Sequence, residues 1–218
     1  MSGDIITLDG PTSSGKNSVG HSLALKLGYR YIDTGMIYRA GPFKMLKQNI
    51  FSNDLDKILE IYRNLDIKFE TDGDWKMILD GEDVTDKLHS PEISNLVSIV
   101  AAKPEVREEM RKIQRRLAEN GKVIMGGRDI GTEIFPEAKY KFWLTASVEE
   151  RAKRRYLQLQ KTDPATTFDK VLSDMKERDR RDSEREASPM RMSEGAIVID
   201  SSNLTIEQTV QEMLKFIK

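Results

Sequence analysis

Asp4-Ile5-Ile6-Thr7-Leu8-Asp9-Gly10-Pro11-Thr12-Ser13-Ser14-Gly15-Lys16-Asn17-Ser18 runs from a short apolar stretch through a glycine-bounded turn into the helical pattern that ends at Gly28. The apolar run predicts a buried strand over 4–9, and the order strand, turn, helix is half of a βαβ unit. Glycines at 10 and 15 let the backbone curl so that successive N–H groups point inward at phosphate oxygens. The helix that follows presents its N-terminus to the same anion. Gly10, Pro11, Thr12, Ser13, Ser14, Gly15, Lys16, Asn17 and Ser18 therefore form a candidate nucleotide cradle, with Lys16 supplying a mobile charge for the terminal phosphates. One position departs from the general pattern GxxxxGK[ST]: residue 17 is asparagine, and a hydroxyl comes only at Ser18.

Beyond the loop, Tyr29–Asp33 predicts a second strand, and residues 34–49 read as helical again. Residues 67–84 alternate apolar and polar side chains around Asp-Gly pairs, which predicts an antiparallel hairpin interrupting the helix-and-strand pattern. Helical periodicity returns from about Ser90 to Asn120. Three strand candidates follow, at 122–126, 140–146 and 196–200, each flanked by helix-like segments. Strands alternating with helices predict a parallel sheet with right-handed crossovers, an α/β fold.

Composition narrows the function less than the motifs do. In 218 residues, 35 basic side chains face 36 acidic ones, so global charge supplies no argument for nucleic acid or membrane binding. The absence of cysteine removes disulfides, thiolate metal sites and a cysteine nucleophile. Histidine chemistry has only His21 and His89 to draw on, and these read as helix and loop residues. The opening MSGDIITLDG is too short and acidic for a secretory leader, and no apolar run reaches membrane-spanning length. The expectation is a soluble cytoplasmic protein, working as a monomer, with no nucleic-acid or membrane partner.

A phosphate loop alone implies an NTP and a divalent cation, which ATPases, GTPases and kinases share. A kinase needs a second anionic pocket, and arginine suits it because its planar fork binds phosphate bidentately and stays charged. Arginines occur at Arg39, at Arg128 within Gly127-Arg128-Asp129, at Arg151, Arg154 and Arg155, and at Arg178, Arg181 and Arg185. Helical spacing puts Arg151, Arg154 and Arg155 on one stripe and Arg178, Asp182 and Arg185 on another. Taken alone, the charged segment 176–186 reads as a solvated helix face, and Arg39 is open between surface residue and ligand. Arg128 and Asp129 follow a strand end, where open parallel sheets bind ligands.

These segments, in this order, resemble the bacterial cytidylate kinase family of P-loop nucleoside monophosphate kinases. The chain carries Asp9-Gly10-Pro11, then Asp33-Thr34-Gly35-Met36-Ile37-Tyr38-Arg39, then Gly127-Arg128-Asp129-Ile130-Gly131-Thr132 with Phe135-Pro136-Glu137-Ala138. Ala146–Arg155, Lys176–Asp182 and Asp200–Glu207 complete the family's series, so the likeness spans nearly the whole chain. It departs at Asn17, at Met125-Gly126, where an acidic residue is usual before the Gly-Arg-Asp, and at Met36 and Gly41.

The resemblance implies a P-loop NTPase fold over 1–218: a central parallel sheet flanked by helices, an inserted monophosphate-binding subdomain near 36–95 with a small antiparallel sheet, and a short helical lid near 151–167. It implies ATP and CMP or dCMP as substrates in pyrimidine nucleotide metabolism. Mg²⁺ would be held by Ser18, since monophosphate kinases commonly place the hydroxyl there. Carried over residue by residue, Lys16, Arg128, Arg151, Arg155 and Arg178 are the catalytic charges. Thr34, Arg39, Arg128 and Arg185 would meet the CMP phosphate, Arg178 and Asp182 the ribose, and Ser98, Arg107 and Asp129 the cytosine. Asp9 and Asp33 remain open between water-mediated Mg²⁺ contacts and plain loop hydrogen bonds.

Three other readings compete. A GTPase would need Asn-Lys-x-Asp, and the nearest approach, Gln160-Lys161-Thr162-Asp163, has the wrong first residue. A kinase for UMP or a non-nucleotide alcohol would share the loop and lid. A non-catalytic nucleotide-binding module is the third.

Overall fold

The structure is a computed structural model describing residues 5–51, 53–70, 75–161 and 163–218. In chain order, β1 (Ile5–Asp9) leads through the loop to α1 (Lys16–Leu27), β2 (Arg30–Asp33), α2 (Thr34–Lys47) and α3 (Leu55–Arg63). Three short strands follow, β3 (Ile67–Glu70), β4 (Lys76–Leu79) and β5 (Glu82–Asp83), then α4 (Pro91–Val100) and α5 (Pro104–Leu117). The remainder is β6 (Val123–Gly127), a π turn at Ile130–Ile134, β7 (Tyr140–Thr145), α6 (Val148–Leu159), α7 (Phe168–Glu184), β8 (Ile197–Asp200) and α8 (Ile206–Leu214). Among the described residues no helix is long and apolar enough to cross a membrane.

The main sheet has five parallel strands in the order β2-β6-β1-β7-β8, so β1 is central and its five residues are all buried. Period-two alternation sends Ile5, Ile32, Val123 and Met125 to one face and Ile6, Tyr31, Ile124 and Phe142 to the other. The first face is covered by α2, α3 and α5, the second by α1 and α8. Parallel sheets need both faces covered, and this one has them.

Register decides where function can sit. Asp9 lies opposite Gly127 on one side and Trp143 on the other, and Asp33 lies opposite Gly126. The carboxyl ends of β1, β2 and β6 therefore finish level, bringing the phosphate loop, the start of α2 and Arg128 to one edge.

The expected hairpin is a three-stranded antiparallel sheet, β3-β4-β5. Asp80 and Gly81 join β4 to β5 with φ of 51° and 82°, the backbone a type I′ turn needs. The other expected turn, residues 71–74, lies outside the described residues. Ile67, Phe69, Met77 and Leu79 point into the core shared with α2, α3 and α5. The small sheet thus has no core of its own.

Sequence periodicity from 90 to 120 predicts one helical stretch, but the structure breaks it into α4 and α5. Pro104 confines Lys103 to an extended backbone (φ −77°, ψ 123°) and starts α5 at its first turn. Helices α6 and α7 pack on each other through Ala152, Val171 and Met175, with Tyr156 and Phe168 edge to face at 6.1 Å.

Candidate active site

The loop after β1 is shaped by steric necessity. A Cβ on Gly10 would stand 2.0 Å from the Leu144 carbonyl oxygen, so no other residue fits between β1 and β7. Gly15, at φ 96°, turns the chain into α1, whose N-terminus has no side-chain cap and no acidic residue in its first turn. Its free N–H groups and dipole favour an anion. Lys16 is buried and folds back, its Nζ donating to the carbonyls of Gly10 (2.8 Å) and Pro11 (2.7 Å) and to Ser14 Oγ (3.4 Å). Burial and the neighbouring Arg128 guanidinium hold its pKa well below the usual lysine range, against the pull of Asp33 and Asp9.

Asp9 is tied to the far side of the same edge. Its carboxylate accepts from Ile130 N (3.0 Å) and Gly131 N (2.7 Å), anchoring the π turn after β6, and burial pushes its pKa up to about 6. Asp33 Oδ1 caps α2 by accepting from Gly35 N at 2.8 Å, and its Oδ2 accepts from Asn17 Nδ2 at 2.6 Å. Both carboxylates make loop hydrogen bonds.

Cations converge in front of the loop. Helix α2 supplies buried Thr34, whose Oγ1 donates to Gly126 O at 2.8 Å, and five residues later Arg39, bonded to Gly35 O at 3.3 Å. Arg128 leaves the end of β6 and pairs with Asp182 of α7 at 3.1 Å. Arg178, one turn before Asp182, is pushed down to about 10 by burial and then by Arg128, against Asp182, with Arg39 and Arg155 adding to the shift. Lys16, Arg39, Arg128 and Arg178 thus lie near one another with Asp33 and Asp182 as counter-charges, and the exposed Arg155 is close enough for Arg39 and Arg178 to feel its charge. Positive charge in excess at a strand-end edge is a place for an anion. Helix α7 also has a solvated face, where Arg180 and Arg181 pair with Glu177 and Glu184.

Deeper in, buried Arg107 of α5 donates through Nη2 to Asp129 Oδ2 in a very short ion pair. Arg107 Nε also reaches Ser188 Oγ (3.3 Å), and Arg185 Nη2 lies 3.6 Å from Asp129. The Arg107 guanidinium sits over the Tyr38 ring at 5.5 Å. Ser98, the third expected base contact, is not joined to this group: it is exposed on α4 and bonds to Ser94 O of its own helix at 3.4 Å.

The arginines expected in the lid differ in their surroundings. Arg151 is buried, donating to Ala146 O (3.0 Å) and Thr12 O (3.2 Å) and pairing with Asp179 of α7 (2.7 Å). Arg154 bonds Ser201 through Oγ (3.2 Å) and the carbonyl (2.7 Å), its Nη1 lying 3.9 Å from where a Gly15 Cβ would stand. Arg155 is exposed, with Gln158 Oε1 at 3.4 Å. Ser201 Oγ shares its one proton between the carbonyls of Ser14 (3.1 Å) and Thr145 (3.0 Å), buttressing the loop from behind.

Tyr38, Ser188 and Ser201 are residues of this region to which sequence reasoning gives no role, and Arg154 is placed on the arginine stripe without one. Tyr38 had a signal, since it lies one helical turn after Thr34 and beside Arg39. Ser188, in an irregular segment at φ 53°, had none.

For a divalent cation the described residues offer no cluster of three acidic or histidine side chains. Exposed Ser18, the third residue of α1, suits an ion that keeps most of its waters and arrives bound to nucleotide phosphates.

The family model described as cytidylate kinase matches residues 6–218. A cytidylate kinase of Caldicellulosiruptor saccharolyticus is 48% identical over 211 residues, covering 96% of this chain and 93% of that protein. A cytidylate kinase of Bacillus subtilis is 42% identical over 214 residues, covering 98% and 96%. The solved structure of an uncharacterized protein from Eubacterium ventriosum matches with a TM-score of 0.53 at 13% identity, covering 98% of this chain and 97% of that one, a likeness of fold alone.

Proposed function

The chain belongs to the cytidylate kinase family, and from that premise we propose that it moves the γ-phosphoryl group of ATP onto CMP or dCMP, giving CDP or dCDP. The observation that carries this reading is the gathering of Arg39, Arg128 and Arg178 near Lys16 of the phosphate loop, with Asp129 of the Arg107–Asp129 pair following directly on Arg128. Two polyanions need such a cluster between them.

In this reading the loop from Gly10 to Ser18 cradles ATP, and Thr34, Arg39, Arg128 and Arg185 take the acceptor phosphate. The acceptor oxygen is already anionic, so no general base is needed, and catalysis is positioning plus charge stabilisation. Negative phosphates relieve both causes that depress Lys16, because they replace the lost solvation and offset Arg128. Arg178 and Asp182 hold the ribose. Mg²⁺, with Ser18 as its protein ligand, would supply charge neutralisation on the nucleotide phosphates. Residues 36–95, from α2 through the small sheet to the start of α4, act as the monophosphate-binding insert, and residues 151–167 as the lid that brings Arg155 further toward the cluster.

Asp129 is the base selector. Cytosine presents an exocyclic amine, which a carboxylate accepts from, whereas uracil presents a carbonyl that leaves the carboxylate unpaired. Such a mismatch costs roughly 1–3 kcal/mol, about tenfold or more in preference. Arg107 holds the carboxylate in place for this test.

A coupled ADP-release assay with CMP, dCMP, UMP, AMP and shikimate as acceptors tests the proposal. CMP and dCMP should turn over fastest, and turnover of UMP at or above that of CMP would refute it.

A further inference from the structure

Asn17 stands between two groups that other contacts already hold still. Tyr31 is fully buried, and a Cβ on Gly20 or Gly126 would come within 2.2 Å or 2.3 Å of its ring or hydroxyl. The ring is therefore gripped between α1 and β6, and Trp75 Nε1 bonds the Tyr31 carbonyl at 2.9 Å. On the other side, Asp33 Oδ1 is fixed by the Gly35 N–H that it caps. Asn17 spans the gap, accepting from Tyr31 OH at 3.0 Å and donating to Asp33 Oδ2 at 2.6 Å. A carboxylate only accepts, so the amide has one orientation that satisfies both partners.

What this span restrains is a negative charge beside phosphate-binding cations. Asp33 Oδ1 and Arg39 Nη1 lie 3.0 Å and 3.9 Å from one point, the place a Cβ on Gly35 would take. Arg39 itself bonds the Gly35 carbonyl, and its Nε is buried without a protein partner. Lys16 immediately precedes Asn17, and Asp33 is among the charges it feels. An Asp33 carboxylate released from Asn17 is free to turn toward Arg39, which already feels its charge, and a carboxylate paired there competes with phosphate.

We propose that Asn17 is a positioning residue that draws the outer oxygen of Asp33 toward α1 and Tyr31, withholding it from Arg39 and Lys16 so that both remain available to phosphate. The proposal rests on the reading of Lys16 and Arg39 as phosphate ligands; it does not require that the acceptor be CMP.

The test is a cycle of Asn17→Ala, Asp33→Asn and the double variant, titrated calorimetrically with inorganic tripolyphosphate without divalent cations and, separately, with CMP. An asparagine at 33 can still cap α2 through its carbonyl oxygen, and Asn17 is exposed, so each variant can fold; thermal melts check this. Asn17→Ala should weaken both ligands about fivefold, the scale of an added charged competitor at a partly exposed site. Asp33→Asn should bind at least as tightly as the parent, and the double variant should match Asp33→Asn. Parent-like binding by Asn17→Ala, or a double variant as weak as Asn17→Ala, would overturn the proposal, as would a parent that binds no tripolyphosphate. A parent that shows the expected tripolyphosphate pattern but does not phosphorylate CMP would support this role while refuting the proposed reaction.

Discussion

The hydroxyl of Tyr62 donates to the carbonyl of Tyr38 at 3.2 Å. Tyr38 O is the acceptor that Pro42, four positions later in α2 and lacking an N–H, leaves without its helical partner. Helix α3 thus repairs a break inside α2, the helix that presents Thr34 and Arg39. The repair needs Gly41, where a Cβ would stand 2.2 Å from Tyr62 Cζ. Gly41→Ala should cost about 2 kcal/mol or more, since two buried elements must part to admit one methyl. Tyr62→Phe should cost about 1 kcal/mol by removing only the hydrogen bond. Denaturant melts check both, and a Gly41→Ala variant as stable as the parent would show that α3 does not pack on α2 in this way.

That repair marks how far the sequence could be read. Strand, loop and helix are evident at 4–28 because a buried strand, a glycine-bounded turn and a helical run stopped by Gly28 each leave a local pattern. The antiparallel insert was evident from alternation and the Asp80-Gly81 turn. Gly41 stood out only as a departure from the family, because its reason is a tyrosine distant in sequence. The arginines were found by motif, but their division of labour depends on partners that no spacing reveals. Arg155 faces solvent and Arg151 is enclosed, though both lie on the same predicted stripe.

Arg151 ties α6 to the phosphate loop through Thr12 O, to the end of β7 through Ala146 O and to α7 through Asp179. Removing one partner of a buried ion pair typically costs about 3–5 kcal/mol, because the other charge is left unpaired. Arg151→Ala should therefore lower the melting temperature and raise the KM for ATP by misplacing the loop. Arg155→Ala should leave the melting temperature alone and lower kcat. An Arg151→Ala variant with parent-like melting and lost turnover would show that Arg151 acts on phosphate directly.

Asp129 carries the expectation of base choice. Asp129→Ala should reduce the CMP-to-UMP ratio of kcat/KM by about tenfold. It also strands the buried Arg107 guanidinium, so it should destabilise the fold at the same time. The ratio is the decisive readout, because general destabilisation lowers both activities together. An unchanged ratio would remove Asp129 from the account of specificity.

Asp9 should leave a mark on the pH dependence of stability. Its carboxyl is fully buried and sits at about 6 in the fold, against 3.8 as the ordinary value. Between those two values the folded chain holds a proton that the unfolded chain has released, so stability falls as pH rises through this window. The group's penalty is small below pH 4 and complete above about pH 6, reaching roughly 2–3 kcal/mol for a shift of this size. Asp9→Asn removes the titration but gives up one of the two N–H contacts at Ile130 and Gly131, lowering stability by a pH-independent amount. The difference in unfolding free energy, parent minus variant, should therefore decline from pH 4 to pH 6 and level off above pH 7. A difference that rises with pH would mean the two backbone donors outweigh burial, and that Asp9 is held as a carboxylate across the whole range.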